Sequence, residues 1–192
     1  MAIEIHGNWK KGYALDLHTQ SSEYLGVDET GRDRFDTTRT KIGELVYRLK
    51  YRSDLTVIPD IINYILEIKG IQKAGCIIPV PPSNINRQLQ PVFVVGHELS
   101  KETRVPFFQD AILKTKSTPQ LKEIEDLSER ERILADAFEI NKNYNFSGMN
   151  VLVIDDLYRS GTTLKVITSI LYNKARVKNV YVIALTKTRS RC

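Results

Sequence analysis

The apolar positions of this chain follow two periods, and the switches between them mark its elements. Ile42, Leu45, Val46 and Leu49 recur at i, i+3, i+4 and i+7 among Lys41, Glu44, Arg48 and Lys50, the stripe of an amphipathic helix. A second helix is expected from Val57 to Lys69. It has Pro59 near its first turn, Ile58, Ile61, Ile62, Ile65 and Leu66 inward, and Gly70 at its end. A third is expected from about Asn86 to Thr103, with Leu89, Val92, Phe93 and Leu99 inward. A fourth carries Leu164, Ile167, Leu171 and Ala175 on its inner face, with Lys165, Thr168 and Lys174 on the surface. Between these lie short unbroken apolar runs, near 75–80, 111–114, 137–140, 150–155 and 179–186, which read as buried strands. Strands alternating with helices predict an α/β fold, a mostly parallel twisted sheet with helices on both faces.

The stretch 1–38 is harder to read. Tyr13 to Thr19 is a candidate edge strand, and Gly31, Asp33 and Asp36 punctuate loops. Trp9, His6 and His18 fall here and are assigned no chemistry. At 192 residues the chain suits one domain, comprising an N-terminal extension (1–38), a helical pair (39–70) and a core (71–192). Hydrophobic residues at 42% and charged residues at 27% are ordinary for a globular protein. The net charge of +5 fits a polyanionic small ligand or weak nucleic-acid contact without separating them. Cys76 and Cys192 match no metal or redox spacing, and Cys76 is expected in the core. No apolar run approaches a membrane span, so a cytoplasmic protein is expected.

The chemistry concentrates in Asn150 to Leu164. A buried strand, Val151-Leu152-Val153-Ile154, runs into Asp155-Asp156, then Arg159-Ser160-Gly161-Thr162-Thr163, then a helix. Backbone N–H groups at a helix start, with the helix dipole behind them, favour a phosphate. Gly161 permits close approach, Ser160, Thr162 and Thr163 add hydroxyls, and Arg159 adds a cation. Two carboxylates repel bare phosphate but suit ribose hydroxyls or hydrated Mg²⁺. A ligand with a phosphate at one end and vicinal hydroxyls near it is a sugar phosphate. A second loop, Pro79-Val80-Pro81-Pro82-Ser83-Asn84, follows another buried strand, at the end where open α/β sheets bind ligands. Arg87, expected in the first turn of the next helix, is placed to face a pyrophosphate. Lys114 to Glu125 is polar with Pro119, which suits a lid. Lys114 and Lys116 are its candidate pyrophosphate contacts. Ser128 and Glu131 form a capping-box pattern, a structural feature.

Val153-Ile154-Asp155-Asp156-Leu157-Tyr158-Arg159-Ser160-Gly161-Thr162-Thr163 resembles the phosphoribosyl diphosphate (PRPP) binding motif of type I phosphoribosyltransferases. Arg159-Ser160-Gly161 stands where that motif usually has Thr-Thr-Gly. Ile78-Pro79-Val80-Pro81 with Arg87 and Gln90-Pro91-Val92 is similar to the pyrophosphate-loop region of the ComF branch of those enzymes. Leu45 to Tyr51, Lys114-Thr115-Lys116, Gln120, Leu127, Glu129-Arg130 and Ala137-Phe138 follow that branch in order from about Thr40 onward. The zinc ribbon that begins many ComF proteins is missing.

The resemblance implies Mg²⁺-dependent transfer of phosphoribosyl from PRPP to a nitrogen acceptor, a base or an amine, with release of pyrophosphate. It implies Asp155, Asp156 and Arg87 as catalytic residues, with both acids also serving the metal. Substrate binding falls to the same acids with Arg159, Ser160, Gly161, Thr162, Thr163, Pro81, Ser83, Lys114 and Lys116. A homodimer is common in that class. Two other readings remain open: a PRPP- or nucleotide-sensing regulator without turnover, and a DNA-uptake-associated protein. The sequence has no stripe of Lys and Arg interleaved with aromatics, which disfavours nucleic acid as a partner. The acceptor is not readable from Ala184-Leu185-Thr186-Lys187.

Overall fold

The computed structural model describes residues 2–84, 86–116, 132–133 and 135–189. Expectations that rest on Pro119, Gln120, Leu127, Glu129, Arg130, the Ser128–Glu131 capping box and Cys192 lie outside the described residues.

Five strands form the central sheet, in the order β1-β2-β9-β8-β5. They are β1 (Ile3–Glu4), β2 (Lys11–Ala14), β5 (Cys76–Pro79), β8 (Asn150–Tyr158) and β9 (Asn179–Lys187). β2, β9, β8 and β5 run parallel, and β1 is antiparallel to β2 at one edge. The segment expected to be an edge strand therefore lies one place in. The chain after β2 stays beside β9, where Leu17 bridges to Lys187.

Strand period explains the two-sided core. Side chains alternate across a strand, so a fully buried strand must be apolar at every position. Along β8, Val151 and Val153 pack into a cluster with Val180 and Val182 of β9. Leu164, Ile167 and Leu171 of helix α4 (Thr162–Asn173) complete that cluster. Leu152 and Ile154 face the other way. They meet Ile42 and Leu49 of α1 (Lys41–Arg52), Ile61 and Ile65 of α2 (Ile58–Leu66), and Val95 and Leu99 of α3 (Pro91–Thr103). Helices thus cover both faces, α4 on one and α1 to α3 on the other. Each fully buried aliphatic side chain contributes about 1.5–3 kcal/mol. Cys76 sits in this core, and burial pushes its thiol up to about 12.

Three local expectations are corrected. β6 (Ile112–Lys114) and β7 (Phe138–Ile140) do not join the parallel sheet; they pair antiparallel with each other as a separate ribbon. With only three residues each, these runs look apolar to a pattern search but lack the length of a central strand. α3 begins at Pro91, not near Asn86. Pro91 suits a first helical position and disfavours helical backbone in the residue before it. Thr168, expected on the surface, is fully buried in α4. A further hairpin, β3 (Thr19–Val27) with β4 (Asp33–Arg39), has a largely polar pattern that gives no strand signal.

α1 is placed by its cap. The Thr40 hydroxyl oxygen accepts from Gly43 N at 3.0 Å and donates to Leu17 O at 2.5 Å, tying the helix start to the chain beside β9.

Candidate active site

β5 ends at Pro79, opposite Ile154, one residue short of the acidic pair on its neighbour β8. The carboxyl end of β8 therefore projects past β5, and the loop that follows β5 folds around the gap. A cleft of about 220 Å³ lies there. Pro81, Pro82, Ser83, Asn84 and Arg87 line it from one side, Asp155, Asp156 and Thr163 from the other, with Lys50 and Lys114 beside them. The topology thus brings together the two loops that 70 residues of sequence keep apart.

Loop 80–90 is held by its own side chains. Asn84 Oδ1 accepts from Asn86 N at 3.0 Å, and Gln90 Nε2 donates to Asn84 O at 2.8 Å. Arg87 lies in this loop rather than in α3, which changes its setting but keeps it on the cleft wall. Its guanidinium is 5.8 Å from the centre of the Tyr51 ring.

The two acids differ in surroundings. Strand alternation turns adjacent side chains to opposite faces. Asp156 meets the α1 side, where its carboxylate is ion-paired to Lys50. Asp155 has no cationic contact among the described residues; its Oδ1 accepts from Asp156 N at 2.8 Å. Burial, reinforced by the neighbouring Asp156 charge, raises the Asp155 carboxyl from 3.8 to about 7. A carboxyl poised near neutrality beside a fixed ion pair is the arrangement expected of a working site rather than of a strand end.

The loop after β8 turns sharply into α4. Gly161 sits at φ +77° as the residue that precedes the helix, and no side chain caps the first-turn N–H groups. A Cβ at Gly161 would lie 2.7 Å from the Tyr158 ring. Ser160 and Thr162 share a hydrogen bond of 2.9 Å between their hydroxyls. Gly161 and Thr162 are buried, while Arg159 and Ser160 are exposed. Uncapped N–H groups at a helix start remain available to an anion.

Of the residues singled out in the sequence, Asp155, Asp156, Arg87, Pro81, Ser83, Lys114 and Thr163 line one cleft. Arg159, Ser160, Gly161 and Thr162 stand beside it in the adjoining loop. Lys116 is exposed and outside the lining. Lys50 was missed. It sits on the polar side of a helix whose stripe explained it fully, and only the fold shows its partner, 106 residues away. His18, assigned no chemistry from the sequence, is joined to the end of β8 through Thr186. Its Nδ1 lies 3.2 Å from Thr186 Oγ1, and Thr186 Oγ1 donates to Asp156 O at 3.1 Å.

Among the described residues no group of three or more His, Cys, Asp or Glu side chains could enclose a metal ion. Two carboxylates alone suit a hydrated Mg²⁺ that keeps most of its ligands from water and phosphate oxygens.

No protein-family model and no curated protein matches this chain. Solved structures with similar chain paths include UMP synthase from Leishmania donovani, at 16% identity and a TM-score of 0.43 over 86% of this chain; the chain spans 28% of the length of that protein. Adenine phosphoribosyltransferase from Thermoanaerobacter pseudethanolicus is similar at 15% identity and a TM-score of 0.48, over 86% of this chain and 95% of that one. Adenine phosphoribosyltransferase from Trypanosoma brucei, solved with AMP, pyrophosphate and ribose-5-phosphate, is similar at 14% identity and a TM-score of 0.46, over 97% and 87%.

Proposed function

We propose that the protein is a phosphoribosyltransferase that moves the phosphoribosyl group of PRPP to a nitrogen acceptor and releases pyrophosphate. The observation that carries this is the cleft in which an acidic pair, Thr163 at a helix start and Arg87 of the loop after β5 converge, with the Arg159–Thr162 turn beside it. In this reading the 5-phosphate of PRPP occupies the Arg159–Thr163 loop, where uncapped N–H groups and hydroxyls donate to it. The ribose hydroxyls donate to Asp155 and Asp156. The pyrophosphate lies between Pro81, Ser83 and Arg87, with Lys114 on the far wall.

Bond cleavage at the sugar leaves positive, oxocarbenium-like charge on the ring and negative charge on pyrophosphate. The acids stabilise the first and Arg87 the second, each from a position set before reaction. Lys50 holds one acid in place, so that carboxylate need not reorganise as charge develops. Asp155 and Asp156 would hold Mg²⁺ through its waters, and the ion would neutralise pyrophosphate charge when bound.

Calorimetry with PRPP, with and without Mg²⁺, tests the reading, alongside pyrophosphate release with a panel of bases and amines. Mg²⁺-dependent binding that Asp155→Asn combined with Asp156→Asn abolishes is expected, with release for at least one acceptor. Binding without release from any acceptor would favour a sensing regulator. Absence of PRPP binding would overturn the assignment.

A further inference from the structure

We propose that His18 is the group that receives the N–H proton of the acceptor, and so acts as a catalytic base on the β9 side of the site. The proposal rests on the transferase reading. Strand order sets the sides. β8 carries the acids, β5 on one flank leads into the pyrophosphate loop, and β9 lies on the other flank. In a displacement at a sugar carbon, entering and leaving groups occupy opposite faces of the ring. With pyrophosphate over β5, the acceptor enters from β9.

His18 stands there. Its backbone N donates to Lys187 O at 2.7 Å, and Lys187 N donates to Asp16 O at 2.9 Å, which clamps the segment to the end of β9. α1 backs it so closely that a Cβ on Gly43 would lie 2.1 Å from His18 O. Its ring is oriented by Thr186. A threonine hydroxyl has one proton, and that of Thr186 goes to Asp156 O at 3.1 Å. Toward His18 it therefore offers a lone pair, so Nδ1 carries the proton across 3.2 Å. Nε2 is left with its lone pair and has no partner among the described residues.

The charges that reach the ring come from each neighbouring element: Arg39 of β4, Lys50 of α1, and Asp156 and Arg159 of β8 and its loop. Burial first, then the three cations, hold the imidazole below its ordinary 6.5, against Asp156 alone. The ring is neutral at physiological pH and available as a base. In the step, the C1–O bond breaks and its electron pair leaves with pyrophosphate. The acceptor nitrogen's lone pair forms the N–C1 bond, and the N–H proton passes to Nε2, later to leave for solvent.

Two readouts test this. Long-range ¹H–¹⁵N NMR of the intact protein should show His18 as the Nδ1–H tautomer, and Thr186→Val should produce a mixture. An Nε2–H tautomer in the unaltered protein overturns the proposal, and this readout needs no acceptor. Pyrophosphate release from PRPP with adenine, guanine, orotate and ammonia should then fall about 10²-fold or more in kcat in His18→Gln, the scale of a lost general base. The acid limb of the pH profile, to which Asp155 also contributes, should change shape while PRPP affinity stays within about twofold, a split that loss of structure alone would not give. Thr186→Val should lower kcat yet keep the acid limb. Full activity with an intact acid limb in His18→Gln overturns the proposal and leaves the transferase reading standing. Failure of the unaltered protein to bind PRPP overturns both.

Discussion

Asp156 on β8 and Lys50 on α1 form an ion pair across 106 residues of sequence, each side chain about four-fifths buried. The pair follows from strand geometry. Adjacent acids on a strand must face opposite ways, so one of the two turns to the helix layer, where a lysine on the helix flank meets it. The other has no ion-pair partner among the described residues. A symmetric-looking dipeptide thus becomes two unlike carboxyls, one paired to a cation and one pushed toward neutrality.

Lys50→Met should therefore cost stability as well as function. It leaves the Asp156 carboxylate partly buried without its cation, a loss on the order of 1–3 kcal/mol. Adding Asp156→Asn should recover part of that loss, because the stranded charge is gone. Urea unfolding of the two single variants and the double variant measures the coupling. Strict additivity would mean the pair contributes nothing.

Asp155→Asn should stabilise the fold in a pH-dependent way. The folded protein holds the Asp155 proton up to about pH 7, whereas the unfolded chain releases it near 3.8. Between those values the folded state binds more protons, so stability declines as pH rises through the window. Asparagine carries no such liability. Its variant should melt together with the parent at pH 4 and above it at pH 8, by at least about 2–4 °C for a chain of this size. Thermal melts at both pH values decide it, and an equal offset at each would sink the idea.

Gly161→Ala should impair the phosphate loop. The position needs φ +77°, and a methyl there meets the Tyr158 ring at 2.7 Å. Left-handed backbone costs about 1–2 kcal/mol for a side-chain-bearing residue, and the ring must also move. PRPP affinity by calorimetry should drop about tenfold or more. Affinity equal to the parent would show that the loop does not hold the phosphate.

Thr168→Val should raise stability by about 1 kcal/mol. The hydroxyl is fully buried in α4, and its oxygen has no hydrogen-bond partner among the described residues. Leaving a polar atom unpaired in a core costs more than replacing it by a methyl of the same shape. Chemical unfolding with unchanged m-value is the measurement, and a loss of stability would indicate a hidden partner.

Much of this architecture was legible because its signals are local. The unbroken run Val151–Ile154 can only be a strand covered on both faces, and the helical stripes of α1, α2 and α4 name their inner residues directly. The string from Asp155 to Thr163 suggests the proposed phosphate loop because acids, glycine and hydroxyls are consecutive. Where the reading failed, competing local rules had to be weighed. Pro91 and Arg87 belong to different elements because proline opens a helix better than it extends one. Ile112–Lys114 and Phe138–Ile140 are apolar enough for strands, but nothing in them states which partner they take. The polar hairpin Thr19–Arg39 carries no burial pattern to detect.

The sequence by itself therefore determined the order of the main helices and sheet strands and the two-faced core, and it nominated the residues of both proposed ligand loops, since these depend on neighbours a few positions apart. The tertiary structure alone decided what those residues meet. Lys50 against Asp156, and His18 against Thr186 at a separation of 168 residues, are contacts that no spacing encodes. They arise because parallel strands stack side by side at 4.7–4.9 Å and bring their carboxyl ends to one edge. Chemistry assembled at that edge is written in the folding of the sheet, not in the adjacency of the chain.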